Sequence, residues 1–525
     1  MHSNDQQRLL LGDALERIVA NPSANHLWLH LMQLIRGITD AGLLAEVVHA
    51  LTTMVPDDGL VGFYRATVLD LATGDPVFLP QACACLQTIA PPDLDRYGAF
   101  YDVAWQRVLL YANGRTEYIR RLKEVGLPQL SLLIGKQLAR YLPAAPAQAF
   151  AEPQLRRVAL VAPQLATPLH PPTQMALDQA RTLIQQGVQV SLFSCQEAMA
   201  PDLRHLLGSG TDTPQLQADL QAWMDSAGGP VSLYLADHRV SLRRRWLDML
   251  GQIDAYTPDL VLFVGLHSGL VSALYQRYPV LGMSINSIAP MVPTDAWLTA
   301  QKALADTVSR PWHEEFPDSQ ACYHPFRVRR KAAAAALPRS SLGVDDDALL
   351  CITMGTHLHI KIDGEWAQRM IGAMQRHPRL VWLLVGGGGG LPPALAGLPP
   401  ARLRLQAYTQ QAAQWLAASD IYLHPPIMGG GFSVAEAMAQ GIPVLALADA
   451  DGGDKAGDEA AVNLDDYFTR LDALAADPAL RRVSGERMRI RFDHALDLAA
   501  SGPGLLAACR QAMQRHRRRI KPADA

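Results

Sequence analysis

An all-α region followed by two successive Rossmann-like α/β halves is the fold class that this sequence predicts. Residues 1–150 carry helical periodicity alone, interrupted at turn residues. From Arg156 onward, short β-branched apolar runs alternate with amphipathic helical stretches, the pattern of βαβ units in a parallel sheet. That alternation runs twice, on either side of the stretch Arg327–Asp347.

Composition sets the outer bounds. The chain has 525 residues, 49% hydrophobic and 18% charged, which supplies packed cores and excludes a disordered or collagen-like chain. Its 47 basic and 50 acidic residues leave a net charge of −3, so a global field for gripping nucleic acid is missing and no nucleic-acid partner is expected. The six cysteines, at 83, 85, 195, 322, 351 and 509, form no paired CxxC spacing. Neither a structural zinc nor a disulfide scaffold is expected from them. The first residues reach acidic side chains before any long apolar run, so the reading expects no secretory leader. No apolar run approaches the roughly 18 residues of a membrane span. A cytoplasmic setting is the resulting expectation, with at most peripheral membrane contact.

In the helical region, Leu9, Leu10, Leu11, Leu15, Ile18 and Val19 fall mostly on one helix face. Asn21-Pro22 breaks that helix and Ser23 is a candidate cap for the next. Further breaks stand at Pro56–Gly59, Thr73–Pro76, Pro91-Pro92 and Gly126, which suggests a repeat-like helical array without a clean consensus. Pro143–Pro146 reads as a linker. In the first half the expected strands are 157–162, 188–193, 231–235, 260–264 and 280–283, with a helix over 173–186. In the second half they are 349–353, 380–385, 403–405, 420–424 and 444–447, with helices over 365–376, 410–418 and 434–440. The boundaries are 1–150, 151–330, 331–510 and a basic tail over 511–525. Ligands in open α/β sheets bind beyond the carboxyl ends of the strands, so a cleft between the halves is the expected site.

The most informative stretch is His424-Pro-Pro-Ile-Met-Gly-Gly-Gly-Phe-Ser-Val-Ala-Glu-Ala-Met-Ala-Gln-Gly-Ile-Pro-Val444. A strand ends at His424, and the glycines Gly429, Gly430 and Gly431 follow. Ser433 is placed to cap a helix that carries Glu436. Backbone N–H groups at a helix start attract anions, and glycines let a diphosphate approach the main chain. Glu436, one turn in, is placed to accept from ribose hydroxyls. The same residues also read as a glycine-rich loop before a capped helix with a surface Glu.

This stretch resembles the nucleotide-sugar motif of GT-B glycosyltransferases, E-G-F-G-x-x-x-x-E-A-M-A-x-G-x-P-V in the large retaining group. Glu436–Val444 matches its second half, whereas Met428 stands where the first acidic residue belongs. The resemblance spans about residues 156–510, and protein-glycosylating members carry a comparable N-terminal helical domain. It implies a hexosyltransferase-type enzyme that moves a sugar from a nucleotide-diphosphate sugar, the co-substrate, to a protein or surface-glycan acceptor. No resident cofactor and no required metal are expected. A non-catalytic GT-B-like scaffold and a nucleotide-sugar epimerase are the alternatives.

Within that resemblance, donor-binding candidates are Gly355, Thr356 and Lys361 after the first strand of the second half, with Lys361 either a phosphate partner or a solvated cation. Gly386 opens space after the second strand, or a flexible loop. Tyr408 follows the third strand, where this superfamily contacts the base, and core packing is its other reading. His424, Gly429, Gly430, Gly431, Phe432, Ser433, Glu436 and Lys455 complete the set. On the acceptor side, His170 is the candidate base and His267 its rival. Asn286, Ser287 and Asp295 are candidates for holding hydroxyls, Asp295 also for catalysis or as a helix cap, and Arg327 for phosphate. Arg243–Arg245 reads as an exposed helix face, and the basic run from Arg515 as a solvated tail or a contact for anionic surface.

Overall fold

The computed structural model describes residues 4–54, 59–142, 154–166, 170–197, 231–237, 240–285, 288–300, 312, 314–326, 328–331, 334–386, 390–407, 409 and 411–520. The helical region comprises α1 (Asn4–Ala20), α2 (Asn25–Arg36), α3 (Ala41–Met54), α4 (Gly59–Thr73), α5 (Phe78–Thr88), α6 (Leu94–Tyr111), α7 (Arg115–Val125) and α8 (Leu127–Ala139). At Asn21-Pro22, Thr73–Pro76, Pro91-Pro92 and Gly126 the helices end as expected, while Pro56–Asp58 and the linker Pro143–Pro146 lie outside the described residues; Gly126, at φ 84°, closes α7 in the left-handed conformation that glycine adopts without strain. Ser23 is not the cap of α2: Ala24 holds that position. The turn is fastened from inside instead, by Trp28 Nε1 donating to Pro22 O at 2.8 Å.

Among the described residues the first half holds a parallel sheet of order β3-β2-β1-β4-β5-β6-β7. The strands are β1 (Arg157–Val161), β2 (Gln189–Ser194), β3 (Val231–Leu235), β4 (Leu260–Val264), β5 (Val280–Met283), β6 (Ala296–Thr299) and β7 (Gln320–Tyr323). The second half holds a parallel sheet of order β10-β9-β8-β11-β12. Its strands are β8 (Leu349–Met354), β9 (Leu380–Val385), β10 (Leu403–Gln406), β11 (Ile421–Leu423) and β12 (Val444–Leu445). Sequence reading missed β6 and β7, which are four residues each and carry no alternation long enough to register.

The unbroken apolar runs follow from burial on both faces. Successive β1 side chains point to opposite sides. Val158 and Leu160 enter one core with the helix Pro171–Gln185, while Ala159 and Val161 enter another that is continuous with α1–α8. The helices Leu242–Tyr256 and Gly269–Leu274 belong to that second core, and the helical region packs on them, α6 on the first and α8 on the second. The contact is close: α8 lies on the helix Gly269–Leu274, and Ser131 and Ser272 share a hydrogen bond of 2.9 Å. Arg245, expected on an exposed face, is buried here with Trp246, and its guanidinium donates to Cys195 O at 2.9 Å and Gln196 O at 2.8 Å.

The described part of the basic run does not behave as a solvated tail. Residues 502–520 form one helix, and Leu505, Cys509, Ala512 and Met513 are buried against the first sheet. Arg515 and Arg519 both bind Asp295, through its carbonyl at 2.8 Å and its carboxylate at 3.0 Å. An apolar stripe in front of the basic run turns those arginines into ties. No described helix is long and apolar enough to cross a membrane.

The fit of α8 to the first half gives a direct test. A Cβ on Gly135 would lie 2.6 Å from Ser272 Cβ and 2.8 Å from its carbonyl carbon. Gly135→Ala is expected to lower stability by about 1–3 kcal/mol through overpacking. Gly12→Ala on α1, where a Cβ meets nothing within 4 Å, is expected to hold or raise it. Urea unfolding midpoints of both variants check this.

Candidate functional site

The glycine turn is built by its backbone. Gly429 and Gly430 have φ values of 102° and 84°, a region that disfavours other residues. Gly430 takes the N-cap position, and its carbonyl accepts from Ser433 N and Val434 N, so the helix already starts at Gly431. Ser433 is thus not its cap, because a left-handed glycine makes the turn three residues earlier than a serine cap requires. Gly431 is needed for space: a Cβ there would lie 2.7 Å from Lys455 Nζ and 2.8 Å from Asp451 Oδ2.

Side chains from neighbouring strand ends fix this turn. His424 is buried, and its Nε2–H donates to Gly429 O at 3.0 Å, which puts the ring proton on that nitrogen. Its role is to shape the loop, and burial lowers its pKa. Lys361, at the end of the short helix Leu358–Lys361, donates to Met428 O at 2.8 Å. Burial lowers its pKa to about 8. Gly386, at φ 96°, lets β9 end against β8, since a Cβ would lie 2.7 Å from Gly355 O. Thr356 is exposed beyond Gly355.

The helix start is not an empty anion cradle. Asp451 Oδ2 accepts the Gly431 N–H at 3.1 Å. Lys455 is buried, its Nζ 3.0 Å from Asp451 O and 3.5 Å from Asp451 Oδ1. Asp454 Oδ1 lies 2.8 Å away as an ion pair without hydrogen-bond geometry. Two buried carboxylates already neutralise Lys455, so Lys361 is the better placed cation for a ligand. A helix N-terminus attracts any anion, and here the loop after β12 provides one.

Farther along this helix, Glu436 is ion-paired to Lys331 of the segment joining the halves. It lines a cavity of about 530 Å³ with Arg329, Arg330, Gln440 and Ala413. Phe432 packs against the cores of both halves, and Met428 is buried in the core shared by the helical region and the first sheet. The loop after β11 therefore sits where the halves meet.

The acceptor-side candidates separate. His170 sits at the N-cap position of the helix after β1, with Nδ1 3.1 Å from Thr173 Oγ1. Burial lowers its pKa to about 4. His267 is sealed, stacked on Tyr101 at 4.2 Å beside a void of about 10 Å³, room for one water. Burial lowers its pKa to about 3, and this enclosure removes it as a base for a cleft substrate. Asp295 is also ruled out for that role. It precedes β6 at the amino edge of the sheet, accepts from Val280 N at 2.8 Å and pairs with Arg519. Its carboxylate ties strands to the last helix. Tyr408, Asn286, Ser287 and Arg327 lie outside the described residues.

Solved structures share this architecture. A structure of a mutant O-GlcNAc transferase from Thermobaculum terrenum aligns over 99% of this chain and 100% of that one, with a TM-score of 0.60 and 14% identity. A glycosyltransferase from Rickettsia africae ESF-5 aligns over 68% of this chain and 99% of that one, with a TM-score of 0.50 and 12% identity. The chain has the GT-B fold. No protein-family model matches it, and no curated protein sequence matches it.

Among the residues that meet around this turn, sequence reading singled out Gly386, Lys361 and Lys455 and did not single out Asp451. The available signal was its spacing, four residues before Lys455 and just beyond a strand. Asp451→Ala is expected to cost about 1–3 kcal/mol, since Gly431 N–H loses its acceptor while Asp454 still faces Lys455. Urea unfolding against the wild type measures that difference.

Proposed function

We propose that the chain is a glycosyltransferase that takes a sugar from a nucleotide-diphosphate sugar and places it on a hydroxyl or amide of a protein or glycan acceptor. The observation that carries this reading is the glycine turn and helix start held beside Lys361 where the two halves meet. The similarity over nearly the whole chain to a structure named as an O-GlcNAc transferase supports a sugar donor and a hydroxyl acceptor. In the reaction, the bond from the anomeric carbon to the diphosphate oxygen breaks, and its electron pair leaves with the diphosphate. The acceptor atom bonds to the anomeric carbon and gives up its proton. Lys361 and the backbone of the turn offset the charge that develops on the leaving group. Glu436, near the 530 Å³ cavity, is the candidate for the ribose, exchanging its Lys331 contact for sugar hydroxyls.

His170 is the candidate acceptor-side base. A pKa of about 4 keeps it neutral at pH 7 but weakly basic. Proton removal then comes late, after bond formation has made the acceptor proton acidic. The Asp451 carboxylate on Gly431 N–H favours a second reading, a binding scaffold that does not turn over. Incubation with mixed nucleotide sugars and acceptor proteins separates the two: release of nucleoside diphosphate supports transfer, and binding without release supports the scaffold.

Lys361 gives the quantitative test. Lys361→Ala is expected to weaken nucleoside diphosphate binding about tenfold or more, as for a lost hydrogen bond to a charged group. The cation is lost as pH rises through about 8, so wild-type affinity is expected to fall between pH 7 and 9. In Lys361→Ala that slope should vanish. Calorimetric titrations with uridine, guanosine and adenosine diphosphates across this range decide it.

A further inference from the structure

The helical region reaches the candidate donor site at three places. The helix Leu358–Lys361, which ends in Lys361, lies against α6. Met428, whose carbonyl Lys361 holds, is buried in the core of the helical region. The third contact is the most directed. α7 begins after Gly114, which has φ 108° and provides no side-chain cap. Its cap comes from the loop after β12. Arg115 N donates to Asp449 O at 2.6 Å. Thr116 N donates to the Asp449 carboxylate at 3.2 and 3.3 Å, and Thr116 Oγ1 to Asp449 Oδ1 at 2.8 Å. The buried Arg115 side chain spans the same loop, with Nη2 3.5 Å from Ala448 O and 3.4 Å from Ala450 O. Gly114 has to be small here, because a Cβ would lie 2.6 Å from Asp449 Oδ2.

The next residue but one, Asp451, is the carboxylate on Gly431 N–H, and it also receives Lys455. Its own N–H donates to Ile427 O at 3.2 Å, which ties this loop to the one that carries the glycines. A helix start in one region, a capping aspartate in another and the glycine turn thus form one hydrogen-bonded series.

We infer that the helical region is a positioning element of the donor site, and that Arg115 and Thr116 set the glycine turn by clamping the Ala448–Asp451 loop. The inference rests on the reading of that turn as the diphosphate site. Thr116 and Asp449 touch no reacting atom; they act through Asp451. A partner that displaced α7 would loosen the turn, so occupancy of the helical region and of the donor site are coupled in both directions.

The test uses the full chain and Thr116→Val, Asp449→Ala and Thr116→Ser. Hydrogen exchange of a peptide covering 424–434 is followed without ligand. Exchange about fivefold faster in Thr116→Val and Asp449→Ala, restored in Thr116→Ser, supports the clamp. Unchanged exchange overturns it. Pyrophosphate and uridine diphosphate titrations form the second arm, with a rise in Kd of about fivefold or more expected for Thr116→Val. In an Asp451→Ala background, which removes the acceptor of Gly431 N–H, that rise should disappear, because the two residues act in series. A rise that persists there overturns the route through Asp451. A wild type that binds neither probe while Thr116→Val still speeds exchange refutes the donor-site reading and leaves the mechanical clamp standing. Unfolding midpoints of each variant show that the fold is retained.

Discussion

Two-sided burial of parallel strands is the constraint on which the rest of this molecule depends. Each strand of the first sheet sends side chains to both faces, and neither face tolerates water. The helix Pro171–Gln185 and the final helix Gly502–Ile520 cover one face. The other is covered by the helices Leu242–Tyr256 and Gly269–Leu274, on which α6 and α8 pack. The helical region is accordingly an outer layer of the GT-B core as well as an N-terminal appendage. Its placement over these helices also brings α6 and α7 to the loops of the second half.

The site shows how burial and charge are balanced where those layers meet. Asp451, Asp454, Lys455 and His424 are all nearly excluded from solvent beneath the glycine turn. Such groups persist in a core only when paired: Asp451 accepts the Gly431 N–H, His424 donates to Gly429 O, and Lys455 lies against Asp451 and Asp454. The arrangement holds the turn in a conformation that glycine alone permits at Gly429 and Gly430. It also takes up one N–H that a ligand would otherwise use, which distinguishes this site from a bare anion-binding helix start. Lys361, which holds Met428 O before the turn, is a cation whose pKa burial lowers.

Several sequence expectations failed for one shared reason, that a side chain's partner lay far away in the chain. Asp295 looked like a site residue in a polar loop, and its partner Arg519 stands more than two hundred positions later. Arg515 and Arg519 looked solvated because the residues that bind them, Asp295, Asp318, Gln320 and Tyr275, lie some two hundred positions away. His267 looked like a loop base until Tyr101, from the helical region, stacked on it. Ser433 and Ser23 fit cap preferences locally, but Gly430 and the Trp28–Pro22 bond decided those turns.

By itself the sequence determined what depends on local pattern. The parallel strands β1–β5 and β8–β12, the helical character of the first region and the glycine turn were legible because apolar runs and glycine conformation are written in consecutive residues. Tertiary structure alone decided which charges are paired, which loops touch and which histidine is enclosed. Those outcomes are set by distances between segments hundreds of residues apart, and Asp449 capping α7 is the plainest instance: neither residue's own neighbours carry any sign of the other.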